Sequence, residues 1–211
     1  YSSLQIDPYF IERIDVLKGP SSVLYGRSNP GGLASLTTKR PQFTDAARID
    51  LSYGSNDYKS LGFDVTGPLN ENVAYRVVGV AKDADSQVDY VEETRYTLMP
   101  SLTLNLSEDT SLNLYAYLQH DPNGGYHGSL PASGTLEKRN GRRLSGSFFE
   151  GDPDIEEFKR TQNMLGYEFQ HRFNDVWSAR QNFRYLDAEV ENSQVWQSGY
   201  YDATSDLLYR G

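Results

Sequence analysis

His120, His127 and His171 are the side chains best suited to acid–base or metal chemistry in this chain of 211 residues. An imidazole becomes a catalyst or a ligand only with a partner at the right spacing. No two of the three stand in an HxxxH arrangement, and none accompanies a nucleophile motif. The sequence therefore predicts no catalytic residue, no metal ligand set and no enzyme. Cysteine is absent, which removes thiolate metal sites and disulfides. Residues 150–157, EGDPDIEE, carry carboxylates of the kind a hard cation takes, but without EF-hand spacing or its turn glycine. A solvated acidic loop is the simpler account. The basic run KRNGRR at residues 138–143 suits an anionic ligand or lipopolysaccharide, or a plain solvated turn. Residues 121–131, DPNGGYHGSLP, are the better binding candidate. Gly124 and Gly125 let backbone approach a bulky ligand, Tyr126 offers an aromatic face, and His127 lies beside it.

These loops need a scaffold, and the scaffold is read from alternation. Ile49, Leu51 and Tyr53 alternate with Arg48, Asp50 and Ser52; Leu61, Phe63 and Val65 alternate with Ser60, Asp64 and Thr66. The same period of two recurs around Leu98–Leu106, Leu112–Leu118, Leu165–Phe173 and Trp177–Tyr185, as in strands with one apolar and one polar face. Residues 73–82 fit less well, because Val78 and Val80 share a face with Arg76 and Lys82. Connections at 70–72, 107–110 and 174–175 are short, whereas 83–94, 120–159 and the loop-like stretch from 192 onward are long. Short turns on one rim and long loops on the other is an outer-membrane barrel pattern; the turn at 54–58 is the exception. Tyr53, Tyr58, Tyr75, Trp177 and Tyr185 suit aromatic girdles at strand ends.

A 37% apolar content is compatible with a barrel, which needs an apolar residue only at every second position. No apolar run is long enough for a spanning helix, and nothing resembles a signal peptide. A net charge of −9 argues against nucleic acid as a partner.

Residues 11–41 read IERIDVLKGPSSVLYGRSNPGGLASLTTKRP. The pattern predicts a strand over 11–17, a cap at Ser21-Ser22 before a short turn through Val23, Leu24 and Tyr25, a Pro-Gly-Gly loop, and a strand over 33–38. This order resembles the end of the plug domain of TonB-dependent outer-membrane receptors. Residues 125–131, GYHGSLP, are similar to a loop of the ferrichrome-type hydroxamate siderophore receptors that reads much like GYYGWLP. His127 and Ser129 stand where that family places ligand-touching aromatics, so a related ferric siderophore is implied more than ferrichrome itself. Tyr1, seven residues before Pro8, keeps the spacing of a plug-apex tyrosine that faces the ligand.

The resemblance implies a mainly β chain: the C-terminal part of an α+β plug over 1–43, then about seven strands of a large antiparallel transmembrane β-barrel over 44–211. Seven strands leave two unpaired edges that lipid cannot satisfy, so an internal piece of a barrel of about twenty-two strands is expected. It further implies a Gram-negative outer membrane with its lipid and lipopolysaccharide, and no covalent cofactor. A ferric siderophore would be the cargo, held by Tyr1, Tyr126 and His127, and TonB would engage a box outside this sequence. A receptor for a corrinoid or oligosaccharide, or a β-rich binding module without transport, stays open as an alternative.

Overall fold

The computed structural model describes residues 5–19, 30–125, 128–130, 132–138 and 141–195, together with the backbone of 197–202 and 207–210. The predicted turn through Val23–Tyr25 lies outside the described residues. Asp7 opens the described fold as an N-cap: its side chain accepts from the Tyr9 amide, and Pro8 starts the 3₁₀ turn Pro8–Phe10. Proline suits that position because its missing N–H would have had no partner there. Strand β1 (Ile11–Lys18) then pairs antiparallel with β2 (Gly32–Thr38) as a separate two-stranded sheet. Neither strand joins the larger ladder.

Seven strands form one antiparallel sheet in sequence order: β3 (Ala46–Tyr53), β4 (Lys59–Asn70), β5 (Val73–Asp85), β6 (Glu92–Ser107), β7 (Thr110–Gly124), β8 (Glu157–Arg172) and β9 (Ser178–Ser193). Each neighbour in sequence is a neighbour in space, the up-and-down order that short turns produce. The 54–58 turn owes its tightness to Asn56 and Asp57, both at positive φ (56° and 51°), with Tyr58 N donating to Ser55 O at 3.3 Å. That is the hairpin turn whose twist matches its strands, and Asn and Asp tolerate it best after glycine. The stretch from 192 is more ordered than its sequence pattern suggests: β9 runs to Ser193, and β10 (Gln197–Asp202) pairs with β11 (Leu207–Arg210).

Across β4 to β8 one face of the sheet is covered and the other is open, whereas β3 and β9 are exposed on both. Asp64, Arg76, Val78, Val80, Met99, Tyr117, Gln119, Gln162 and Met164 are buried; Leu61, Leu98, Leu102, Leu114, Leu118, Leu165 and Tyr185 are exposed. The residues covering the inner face come from the N-terminal segment: Phe10 belongs to the core with Val78, Met99, Tyr117 and Met164, and Ile6 and Tyr9 pack against it. This explains the awkward pattern of β5. Val78 and Val80 share a face with Arg76 and Lys82 because that inner face meets a packed segment, which takes apolar contacts and ion pairs alike. Tyr115 also packs against this core, and Thr103 Oγ1 hydrogen-bonds Asn113 Oδ1 at 3.1 Å. Leu102, paired with Leu114, and Leu104, paired with Leu112, therefore lie on the open face.

Candidate functional site

The N-terminal segment meets the sheet through two belts of polar contacts. In the first, Asp64 accepts a two-pronged ion pair from Arg76, Nε and Nη2 each at 2.8 Å, and Lys39 Nζ lies 2.8 Å from the same carboxylate. Arg76 Nη1 also donates to the Arg40 carbonyl at 2.8 Å, and Arg40 pairs with Glu168 at 2.7 Å. Tyr9 links the belts. Its hydroxyl donates to Asp50 at 2.8 Å and Lys39 Nζ stands 4.3 Å over its ring. Burial, then the Asp50 hydrogen bond and the nearby carboxylates, push the Tyr9 pKa up to about 12. Gly62 makes the approach possible, since a Cβ there would lie 2.7 Å from Tyr9 Cζ.

The second belt is centred on Asp7, which is wholly buried. Lys82 Nζ holds its Oδ2 at 2.6 Å, Arg95 Nη1 lies 3.4 Å away, and the Asp7 amide donates to Tyr117 OH at 3.0 Å. Burial pushes the Asp7 carboxyl up. The hydrogen bonds from Lys82 and the Tyr9 amide, with the charges of Lys82 and Arg95, outweigh it and hold the pKa below its ordinary value. Arg95 in turn grips Asp121 at 2.8 and 3.0 Å. Gln5 completes the belt through Gln162, at 3.1 and 3.3 Å, and Arg160 at 2.5 Å. A register shift in the β6–β7 ladder places Asp121 and Pro122 across from Arg95. Proline is tolerated there because a bulge leaves its missing N–H unneeded.

Beyond the second belt, toward the long connections, lies a cavity of about 260 Å³ lined by Tyr58, Lys82, Glu93, Arg95, Asp121 and Gly124. Tyr58 thus serves this cavity instead of an outer girdle. A neighbouring hollow of about 380 Å³ includes Gly124, Gly125, Phe149, Glu156 and Phe158. Gly124 lets Phe158 close in, since its ring occupies the space of a Cβ.

A family model described as the TonB-dependent Receptor Plug Domain matches residues 1–33. The chain is 46% identical to the ferrioxamine B receptor of Salmonella typhimurium (strain SL1344), over all of this chain and 30% of that protein. It is 36% identical to the ferrichrome outer membrane transporter/phage receptor of Escherichia coli (strain K12), over 94% of this chain and 27% of that one. The chain belongs to the TonB-dependent receptors. Its fold matches the crystal structure of the ferripyoverdine receptor of Pseudomonas aeruginosa with a TM-score of 0.83 at 24% identity, covering 95% of this chain and 27% of the other. This TonB-dependent receptor chain spans about 30% of the length of the curated relatives it matches.

Tyr1, Tyr126 and His127 all lie outside the described residues of the receptor chain. Of the described residues near them in sequence, Gln5 belongs to the second belt and Gly125 lines the neighbouring hollow. His120 and His171 face elsewhere, His120 Nδ1 toward Thr161 Oγ1 at 3.1 Å and His171 Nδ1 toward Thr110 Oγ1 at 2.8 Å. Carboxylates of the acidic stretch are taken up by protein contacts: Asp152 Oδ1 accepts from the Asp154 amide at 3.1 Å, Glu156 Oε1 accepts from the Val195 amide beyond β9 at 3.1 Å, and Glu157 pairs with Lys159 along β8. Arg143 Nη2, from the basic run, donates to the Leu136 carbonyl at 2.9 Å. Sequence reasoning missed Lys82, Arg95 and Asp121. Arg95 and Asp121 carry opposite charges on the inner-facing parity of successive strands, but Lys82 meets its partner Asp7 from outside the sheet, and spacing does not pair them.

Proposed function

We propose that this chain, with residues 1–43 as plug and 44–211 as barrel wall, is part of an outer-membrane receptor that binds a ferric siderophore of the hydroxamate class and imports it. The observation that carries the reading is the cavity of about 260 Å³ beyond the second belt, lined by wall residues that include Lys82, Arg95 and Asp121. Its position suits capture from outside the cell. The open face is apolar along the lower part of each strand and turns polar toward the long connections: Leu118 gives way to His120, Leu165 to Asn163, and Tyr185 to Asp187. A strand needs only about nine to eleven residues to cross a bilayer. The 16 residues of β6 therefore reach well past it, and the cavity lies in that overshoot.

Tyr1, Tyr126 and His127 are the proposed ligand contacts, with lipid against the open face and lipopolysaccharide near the long loops. The siderophore wraps its iron, so the receptor needs shape, aromatic surface and hydrogen bonds and no iron ligand of its own. Work for import comes from TonB acting on the plug. Ligand can promote that engagement only by binding one plug state more tightly than another. The similarity to receptors named for ferrioxamine and ferrichrome supports the cargo class. The test is uptake of labelled ferrioxamine B, ferrichrome and a corrinoid by receptor-deleted cells carrying the full-length gene. TonB-dependent uptake of a ferric hydroxamate is expected; corrinoid uptake alone overturns the reading.

A further inference from the structure

Building on that reading of the site, we propose that Arg95 is a specificity-determining residue that recognises oxygen acceptors of the ligand by exchanging its contacts to the plug for contacts to the cargo. The Arg95 guanidinium faces the cavity and reaches two structures at once. Toward the wall it holds Asp121 at 2.8 and 3.0 Å, and Gln119 Nε2 braces that carboxylate at 2.8 Å. Toward the plug it reaches Asp7 at 3.4 Å and Gln5 Oε1 at 3.3 Å. Charge-assisted hydrogen bonds of this kind are ordinarily about 2.7–2.9 Å long, so the wall contacts are strong and the plug contacts weak.

Both plug acceptors have a closer cation. Lys82 stands 2.6 Å from Asp7, and Arg160 stands 2.5 Å from Gln5 Oε1. Neither relies on Arg95. An anionic or carbonyl oxygen entering the cavity gains a charge-assisted hydrogen bond from a guanidinium already oriented by Asp121, while the plug gives up two long ones. Such an arrangement favours cargo with exposed oxygens, such as a ferric hydroxamate, over cargo of the same size without them. Ligand occupation would leave the Asp7–Lys82 pair in place, still tying the N-terminal segment to the wall.

The experiment uses the full-length receptor in outer-membrane vesicles, with ferrioxamine B and ferrichrome as probes and dissociation constants from fluorescence quenching. Arg95→Gln is expected to weaken binding about tenfold, the loss of one charge-assisted hydrogen bond. Arg95→Lys should be intermediate, because it keeps the charge without the fork. Asp7→Asn should tighten binding, since the competing acceptor loses its charge, and that gain should vanish when combined with Arg95→Gln. If Asp7→Asn fails to reach the membrane, Gln5→Ala tests the same exchange with an uncharged neighbour and the same expected sign. A parent receptor that binds neither probe overturns the proposed function itself. A parent that binds, with Arg95→Gln unchanged, or with Asp7→Asn (or Gln5→Ala in its place) failing to tighten binding, overturns this inference alone.

Discussion

Asp7 Oδ2 and Lys82 Nζ lie 2.6 Å apart although 75 positions separate them in the chain. The pair ties the N-terminal segment to the wall, with the carboxylate wholly buried and the ammonium partly so. Breaking such a pair by removing one partner leaves an uncompensated charge. Asp7→Ala is therefore expected to cost about 2–4 kcal/mol of plug docking. Faster amide exchange over residues 5–10 of the full-length receptor is the measurement, and unchanged protection contradicts the assignment.

Because the Asp7 pKa is depressed in the folded state, its contribution is fully present above the unfolded value of 3.8 and fades as pH falls through the lower folded value. Docking should be constant from neutrality to about pH 5 and weaken progressively in stronger acid. Unfolding midpoints measured against pH should show this fall in the parent and a smaller one in Lys82→Met.

Tyr9 reaches Asp50 only because Gly62 has no side chain. Gly62→Ala should displace the ring and cost about 1–3 kcal/mol by overpacking. Pairing it with Tyr9→Ala, which vacates the space, should recover most of the difference. A double-mutant cycle with no coupling would show that the contact is incidental.

The face assignment of β6 and β7 predicts opposite outcomes for neighbouring substitutions. Leu104→Arg puts a charge on the lipid side and should cost about 2–4 kcal/mol if it lies near the midplane. Asn105→Arg, on the inner face, should fold nearly as well as the parent. Comparable refolding yields for both in lipid vesicles would mean a register error of one residue.

Tyr126→Ala and His127→Ala are expected to weaken binding of at least one ferric siderophore, since both follow Gly125 at the rim hollow. Titrating each purified full-length variant with ferrioxamine B and ferrichrome decides it. Unchanged affinity for both ligands in both variants would remove this loop from the site.

The seven strands of the sheet, their turns and the separate hairpin β1–β2 were legible in the sequence because each depends on neighbours within a few residues. Alternation reports which side chains share a face, and Asn, Asp, Gly and Pro mark where the chain turns. The hairpin β10–β11 was not legible, since its residues lack that alternation. The plug-like run at 11–41 and the GYHGSLP loop pointed to the receptor family and to Tyr1, Tyr126 and His127. The two belts were decided by tertiary structure alone. Their partners are 25 residues apart for Lys39 and Asp64, 88 for Asp7 and Arg95, and 155 for Gln5 and Arg160. Such pairs form only after ladder register fixes which side chains stand at one height on the inner face and a covering segment excludes water from them. Sequence spacing carries no record of that height, so Arg76 and Lys82 looked like flaws in a strand until Asp64 and Asp7 were seen against them.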